Sequence, residues 1–80
     1  MNEAQMLLMK TLDQLKPGEH AVIKNIKSSA LTIKLLEMGL LPGKEVKYNY
    51  RAPLGDPISV KISGYNLSLR IDEASQVEII

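Results

Sequence analysis

Glu45-Val46-Lys47-Tyr48-Asn49-Tyr50-Arg51, Ile58-Ser59-Val60-Lys61-Ile62 and Tyr65-Asn66-Leu67-Ser68-Leu69-Arg70-Ile71 carry the decisive pattern of this chain. In all three stretches apolar and polar residues alternate with period two. Such alternation marks strands with one face buried and the other in water. Val46, Tyr48 and Tyr50 share the apolar phase, so both tyrosines are expected in the core or at its rim. Ser63-Gly64 reads as a tight hairpin turn between the second and third strands. Residues 52–57 connect the first to the second.

Working outward, Asp72 reads as the cap of one helical turn through Ala74 and Ser75, and Val77 and Ile79 alternate as a last strand. Toward the N-terminus, residues 20–27 form a strand in which Ala21 and Ile23 share a face and Ile26 is out of phase. A bulge near Lys24 and Asn25 reconciles them. Ser28 and Ser29 offer a cap for the next element. There Leu31, Leu35 and Met38 fall at i, i+4 and i+7, the helical period. Gly39 is the left-handed stop, and Leu40 stands where a Schellman motif places its apolar contact. Thr11 is the N-cap of a single turn over residues 12–15, which Lys16-Pro17-Gly18 ends. Residues 1–10 read as an arm or a short amphipathic helix carrying Met6, Leu7 and Met9, and residues 11–80 as the domain. The fold class is mainly β with short helices. About five short strands cannot stack as two full sheets, so they curl into a small barrel. One main α-helix is inserted between its first two strands.

The chain has 80 residues, enough for one domain. Its core is aliphatic, with 45% hydrophobic residues, 4% aromatic and neither Phe nor Trp. Chain entropy of about 1.5 kcal/mol per ordered residue nearly cancels core burial at this size, so the expected stability is modest. No cysteine is present, which removes disulfides, thiolate zinc sites, iron–sulfur clusters and thiol nucleophiles. The formal charge of +1 argues against a dedicated nucleic-acid binder. It is unevenly spread, with basic residues gathered between Lys24 and Arg51 and acidic ones at the C-terminal end. No stretch approaches the roughly 18 apolar residues of a membrane-spanning helix, and the expected location is the cytoplasm.

Few residues carry chemistry. Gly39-Leu40-Leu41-Pro42-Gly43-Lys44 has the wrong glycine spacing for a phosphate-binding loop, and Glu45 replaces the hydroxyl that such a loop requires. His20 is the sole histidine. It is the one candidate metal ligand, and it needs carboxylates or a second copy of the chain to make a site. Asp56, between Gly55 and Pro57, has a turn role, and Asp72 and Glu73 suit the start of a helical turn. No nucleophile–base pair can be drawn, so the chain is not expected to be an enzyme. Lys24, Lys27, Lys47 and Arg51 lie without aromatic platforms, so nucleic acid is not an expected partner. The loop Arg51-Ala52-Pro53-Leu54-Gly55-Asp56-Pro57 remains. Two prolines stiffen it. Two readings of Leu54 stay open: an apolar tip held toward a partner, or a side chain folded back on the core.

Leu12-x-x-Leu15-Lys16-Pro17-Gly18, Lys34-Leu35-Leu36-Glu37-Met38-Gly39-Leu40-Leu41-Pro42-Gly43, Ala52-Pro53-Leu54-Gly55-Asp56-Pro57-Ile58 and Leu67-x-Leu69-Arg70 together resemble the FeoA domain, the ferrous iron transport protein A family. The likeness runs in order from about Thr11 to Ile80. Lys34 stands where family members often carry Arg, keeping the charge without the bidentate fork. The resemblance implies an SH3-like barrel. It also implies a small cytosolic accessory or regulatory protein of ferrous iron uptake that acts on FeoB, the membrane Fe²⁺ transporter with a GTP-binding domain. Iron-dependent repressors end in a similar domain, but this chain has no room for a helix-turn-helix.

The expected function is protein–protein interaction, with Lys34, Leu40, Leu41, Arg51 and Leu54 as contact candidates and no cofactor. The chain is expected to be a monomer or weak dimer. The alternative is a direct transition-metal sensor or carrier using His20 across a dimer.

Overall fold

A computed structural model describes residues 10–80. Among these, one curled antiparallel sheet has six strands: β1 Lys10–Thr11, β2 His20–Ile26, β3 Glu45–Arg51, β4 Ile58–Ile62, β5 Tyr65–Leu69 and β6 Val77–Ile79. Their order across the sheet is β1-β6-β2-β3-β4-β5. A 3-10 turn at Leu12–Gln14 and helices α1, Thr32–Glu37, and α2, Ile71–Ala74, complete the chain. The expected mainly-β barrel with one main helix after its first long strand is found. The strand beyond the expected five is β1, whose two residues are too few for alternation to show. The helix or arm read over residues 1–10, with Met6, Leu7 and Met9, falls almost wholly outside the described residues.

β2 turns the corner that curls the sheet. Its first half pairs with β3, Ala21 opposite Val46, and its second half with β6, Ile26 opposite Val77. The register shifts between Ile23 and Asn25, where the sequence required a bulge, and Ile26 is thereby buried. Leu12, Ile23, Leu35, Leu40, Val46, Tyr48, Ile58, Val60, Leu69 and Val77 fill the barrel. Each contributes about 1.5–3 kcal/mol of burial.

α1 is held from both ends. The Thr32 hydroxyl accepts the Ser29 N–H at 2.8 Å and donates to the Lys27 carbonyl at 2.8 Å. At the other end Gly39 has φ of +96°. The Gly39 N–H donates to the Leu36 carbonyl at 3.0 Å and the Leu40 N–H to the Leu35 carbonyl at 3.2 Å, the two bonds of a Schellman motif. A Cβ on Gly39 would meet nothing within 4 Å, so only the backbone conformation opposes one. Gly39→Ala is expected to lose about 1 kcal/mol or slightly more, read as a lower urea midpoint with an unchanged slope.

Two details correct the sequence reading. The register shifts again in β3, between Tyr48 and Tyr50. Tyr48 is 1% exposed and Tyr50 62%. An extra residue at the bulge puts Tyr50 on the wet face, beside Asn49, against the expectation that both tyrosines line the core. The α2 helix begins two residues early, at Ile71, with Arg70 rather than Asp72 at the N-cap. Its first N–H groups are satisfied by one carboxylate from the 52–57 loop and one from the helix itself. Asp56 Oδ1 accepts the Ile71 N–H at 3.1 Å, and Glu73 Oε1 accepts that of Arg70 at 2.9 Å.

Candidate docking surface

The loop between β3 and β4 is pinned at both ends and in its middle. The Ala52 N–H donates to the Pro57 carbonyl at 2.9 Å, and the Gly55 N–H closes a turn onto the Ala52 carbonyl at 2.7 Å. The Asp56–Ile71 bond fastens it to α2. Leu54, at the tip of this turn, is 98% exposed. Of the two readings of Leu54, the structure shows the one in which it points away from the core. Arg51, at the foot of the loop, donates from Nε to the Tyr48 hydroxyl at 3.1 Å and from Nη2 to the Asp13 carbonyl at 3.3 Å. The hydroxyl contact holds its guanidinium above the ordinary value. These bonds also give the buried Tyr48 oxygen the partner that its burial demands.

Lys34 projects from α1 to an ion pair with Glu73. Glu73 is 5% exposed. The Lys34 ammonium, then the Arg70 N–H, hold its carboxyl below the ordinary Glu range, against a burial that pushes it up. Lys34, Asp56, Pro57, Ser68, Arg70 and Glu73 line one open cleft of about 450 Å³. Lys34 and the loop that carries Leu54 therefore belong to one region of the surface.

The remaining candidates fall elsewhere. Leu40 is fully buried, which corrects its place among the contact residues. Gly39 does not lift it out; the Schellman turn folds it under the helix beside Leu35. Leu41 is exposed, but its segment is tied to β2 by the bonds between Ile23 and residues 43 and 44. His20 Nδ1 lies 3.0 Å from Glu45 Oε1, both exposed. Lys47 and Lys61 line the same cleft, and their charges oppose a cation there. Among the described residues no group of three His, Cys, Asp or Glu side chains is placed to hold a metal. The sequence reading missed the exposed Tyr50 and the pairing of Glu73 with Lys34. An acidic residue three positions after Arg70 has the capping-box spacing, which signals the bond of Glu73 to the Arg70 N–H but not the pair with Lys34.

The curled sheet and its pinned loop define a small SH3-like barrel domain. The family model of the FeoA domain matches residues 10–80, and the chain belongs to the FeoA family. It is 38% identical over 69 residues, 85% of its length, to an Fe(2+) transport protein A/Fe(2+) transporter FeoB fusion protein of Porphyromonas gingivalis, of which it spans 8%. The solution structure of iron(II) transport protein A from Clostridium thermocellum superposes with a TM-score of 0.81 at 44% identity, over 88% of this chain and 44% of that one. Stenotrophomonas maltophilia FeoA complexed with zinc, described as a procaryotic SH3 domain protein, matches with a TM-score of 0.78 at 29% identity over 89% of both chains. The family is thus linked to ferrous iron transport, and a homologous domain is joined to FeoB in one polypeptide. Among the described residues no helix is long and apolar enough to cross a membrane.

Proposed function

We propose that this chain is a cytoplasmic accessory protein of ferrous iron uptake, without catalytic activity, that docks on the cytoplasmic part of a FeoB-type transporter and regulates it. The observation that carries this reading is the Porphyromonas gingivalis fusion. Tethering two domains raises their local concentration to the millimolar range for a short linker, which is useful where the two parts work in contact. The surface fits such a role. A pinned loop that presents Leu54 loses little conformational entropy on docking, and Lys34 and Arg51 add charge near it. Regulation requires unequal affinity for two states of the transporter's nucleotide cycle, since equal affinity shifts nothing.

The test is binding of the purified chain to the transporter's cytoplasmic portion in the GDP and GTP-analogue states. Leu54→Asp is expected to keep the fold and weaken binding at least tenfold, as for a buried interface anchor. Equal binding of wild type and Leu54→Asp, or no binding at all, overturns the reading. The metal alternative predicts calorimetric Zn²⁺ or anaerobic Fe²⁺ binding that is lost in His20→Ala. The lysines beside His20 favour the docking reading over it.

A further inference from the structure

β5 is the outer strand of the sheet, paired among the described residues with β4 alone. Ser63 and Gly64 both have positive φ, 51° and 82°, and join Ile62 to Tyr65 in a two-residue hairpin. The closing pair of such a hairpin exchanges both backbone hydrogen bonds. Counting from it, Tyr65, Leu67 and Leu69 direct their backbone groups to β4. Asn66 and Ser68 direct theirs outward. Natural edges are blunted by charge, proline or a bulge. β5 has neither charge nor proline, and its five pairs with β4 run without a register shift.

Two clefts lie in line along this edge. Glu37, Met38 and Gly39, at the end of α1, face Tyr65, Asn66 and Leu67 across a cleft of about 330 Å³. One turn back along the helix, Lys34 shares the 450 Å³ cleft with Ser68 and Arg70. Helix and strand thus run in opposite directions along the two sides. A five-residue strand is about 17 Å long. Met38 and Leu67 are half-buried against the core, which makes the middle of this line apolar. Arg70 is exposed and makes no ion pair among the described residues. At that end Lys34 is paired with Glu73 and Asp56 accepts the Ile71 N–H, so the Arg70 guanidinium is the charge left to meet an acidic side chain, while Glu37 makes the other end acidic.

We propose that the two clefts between α1 and β5 together bind an extended segment of a partner protein as an added strand, apolar in its middle and with an acidic side chain at the Arg70 end. The outward N–H and C=O groups of Asn66 and Ser68 supply the main-chain bonds, the mode of β-augmentation. This rests on the reading of the chain as a docking module and names the surface and the chemistry of the segment.

Random dodecapeptides displayed on phage and selected on the full chain test it without any transporter. Recovered peptides are expected to share an acidic residue beside uncharged ones, and to slow hydrogen exchange at the Asn66 and Ser68 amides at least tenfold. Ser68→Pro removes an outward N–H that β4 does not use, a position where an edge strand accepts proline. It is expected to weaken peptide binding about tenfold with the β4–β5 hairpin intact. Arg70→Glu, on the helix-facing side, is expected to do the same, and reports independently should Ser68→Pro fold poorly. The proposal is overturned if no peptide is recovered, if the peptides perturb other residues, or if a folded variant binds as wild type does. It is also overturned if the Asn66 and Ser68 amides are already protected in the free chain, covered by its own residues 1–9 or by a second copy. Failure here leaves transporter docking through Leu54 standing. Loss of transporter binding leaves the peptide result standing.

Discussion

Leu40→Ala is expected to lower the unfolding free energy by about 2–5 kcal/mol, with a fall in Tm of at least about 8 °C for a domain of this size. Leu54→Asp is expected to change stability by less than about 0.5 kcal/mol. The two leucines are fourteen positions apart, and each stands one residue from a glycine with positive φ, Leu40 after Gly39 and Leu54 before Gly55. They differ in what the backbone does next to them. The 6→1 and 5→2 bonds around Gly39 fold Leu40 beneath α1, where it is wholly buried with Leu35, Val46 and Tyr48. Truncation leaves a cavity that a β-barrel this small cannot collapse around. The turn closed at Gly55 holds Leu54 in water, where a carboxylate is at no disadvantage. Urea denaturation of both variants checks the contrast. A stable Leu40→Ala, or an unfolded Leu54→Asp, contradicts the placement of these side chains.

Removing the Glu73 carboxylate is the second large effect. Glu73→Ala strands the Arg70 N–H at the start of α2 and releases the Lys34 ammonium to solvent. The expected loss is about 1–3 kcal/mol, and most of it comes from the Arg70 N–H left without its acceptor, because the ammonium is already largely hydrated. The same carboxylate sets a pH dependence. Its pKa is lower in the fold than the value of about 4.3 in an unfolded chain. The stabilisation is therefore complete above about pH 5 and is lost as the pH falls through the unfolded and then the folded value. Urea midpoints at pH 7, 5 and 3.5 are expected to be level between the first two and lower at the third. Glu73→Gln is expected to differ from wild type at pH 7 and to approach it at pH 3.5. A gap that stays constant with pH contradicts the charge pairing.

The alternation from Val46 to Ile71 made the long strands readable because each had one face against a single core. It identified the phase of a residue but not how much covers it. Tyr65 has the apolar phase yet lies at the uncovered end of β5 and is exposed. Tyr50 escaped the reading for another reason. The β3 bulge inserts its extra residue with no glycine or proline to announce it, whereas in β2 the out-of-phase Ile26 announced a bulge by itself. The surface was least legible. The Asp56–Ile71 bond spans fifteen positions and the Lys34–Glu73 pair thirty-nine, and such pairs are decided by how the sheet curls. The resemblance to the FeoA domain ordered the same residues correctly without revealing either contact.

Lys10 stands opposite Ile79 in the β1–β6 ladder. Paired antiparallel strands bring opposed Cα atoms within about 5.5 Å, so the two extremities of the barrel are neighbours. A short glycine tether from position 80 to position 10 would bridge them, and the polypeptide could then be reopened at the exposed 52–57 connection to give a circular permutant. The same adjacency lets the whole barrel be spliced into a surface loop of a larger protein, entering and leaving at nearly one point.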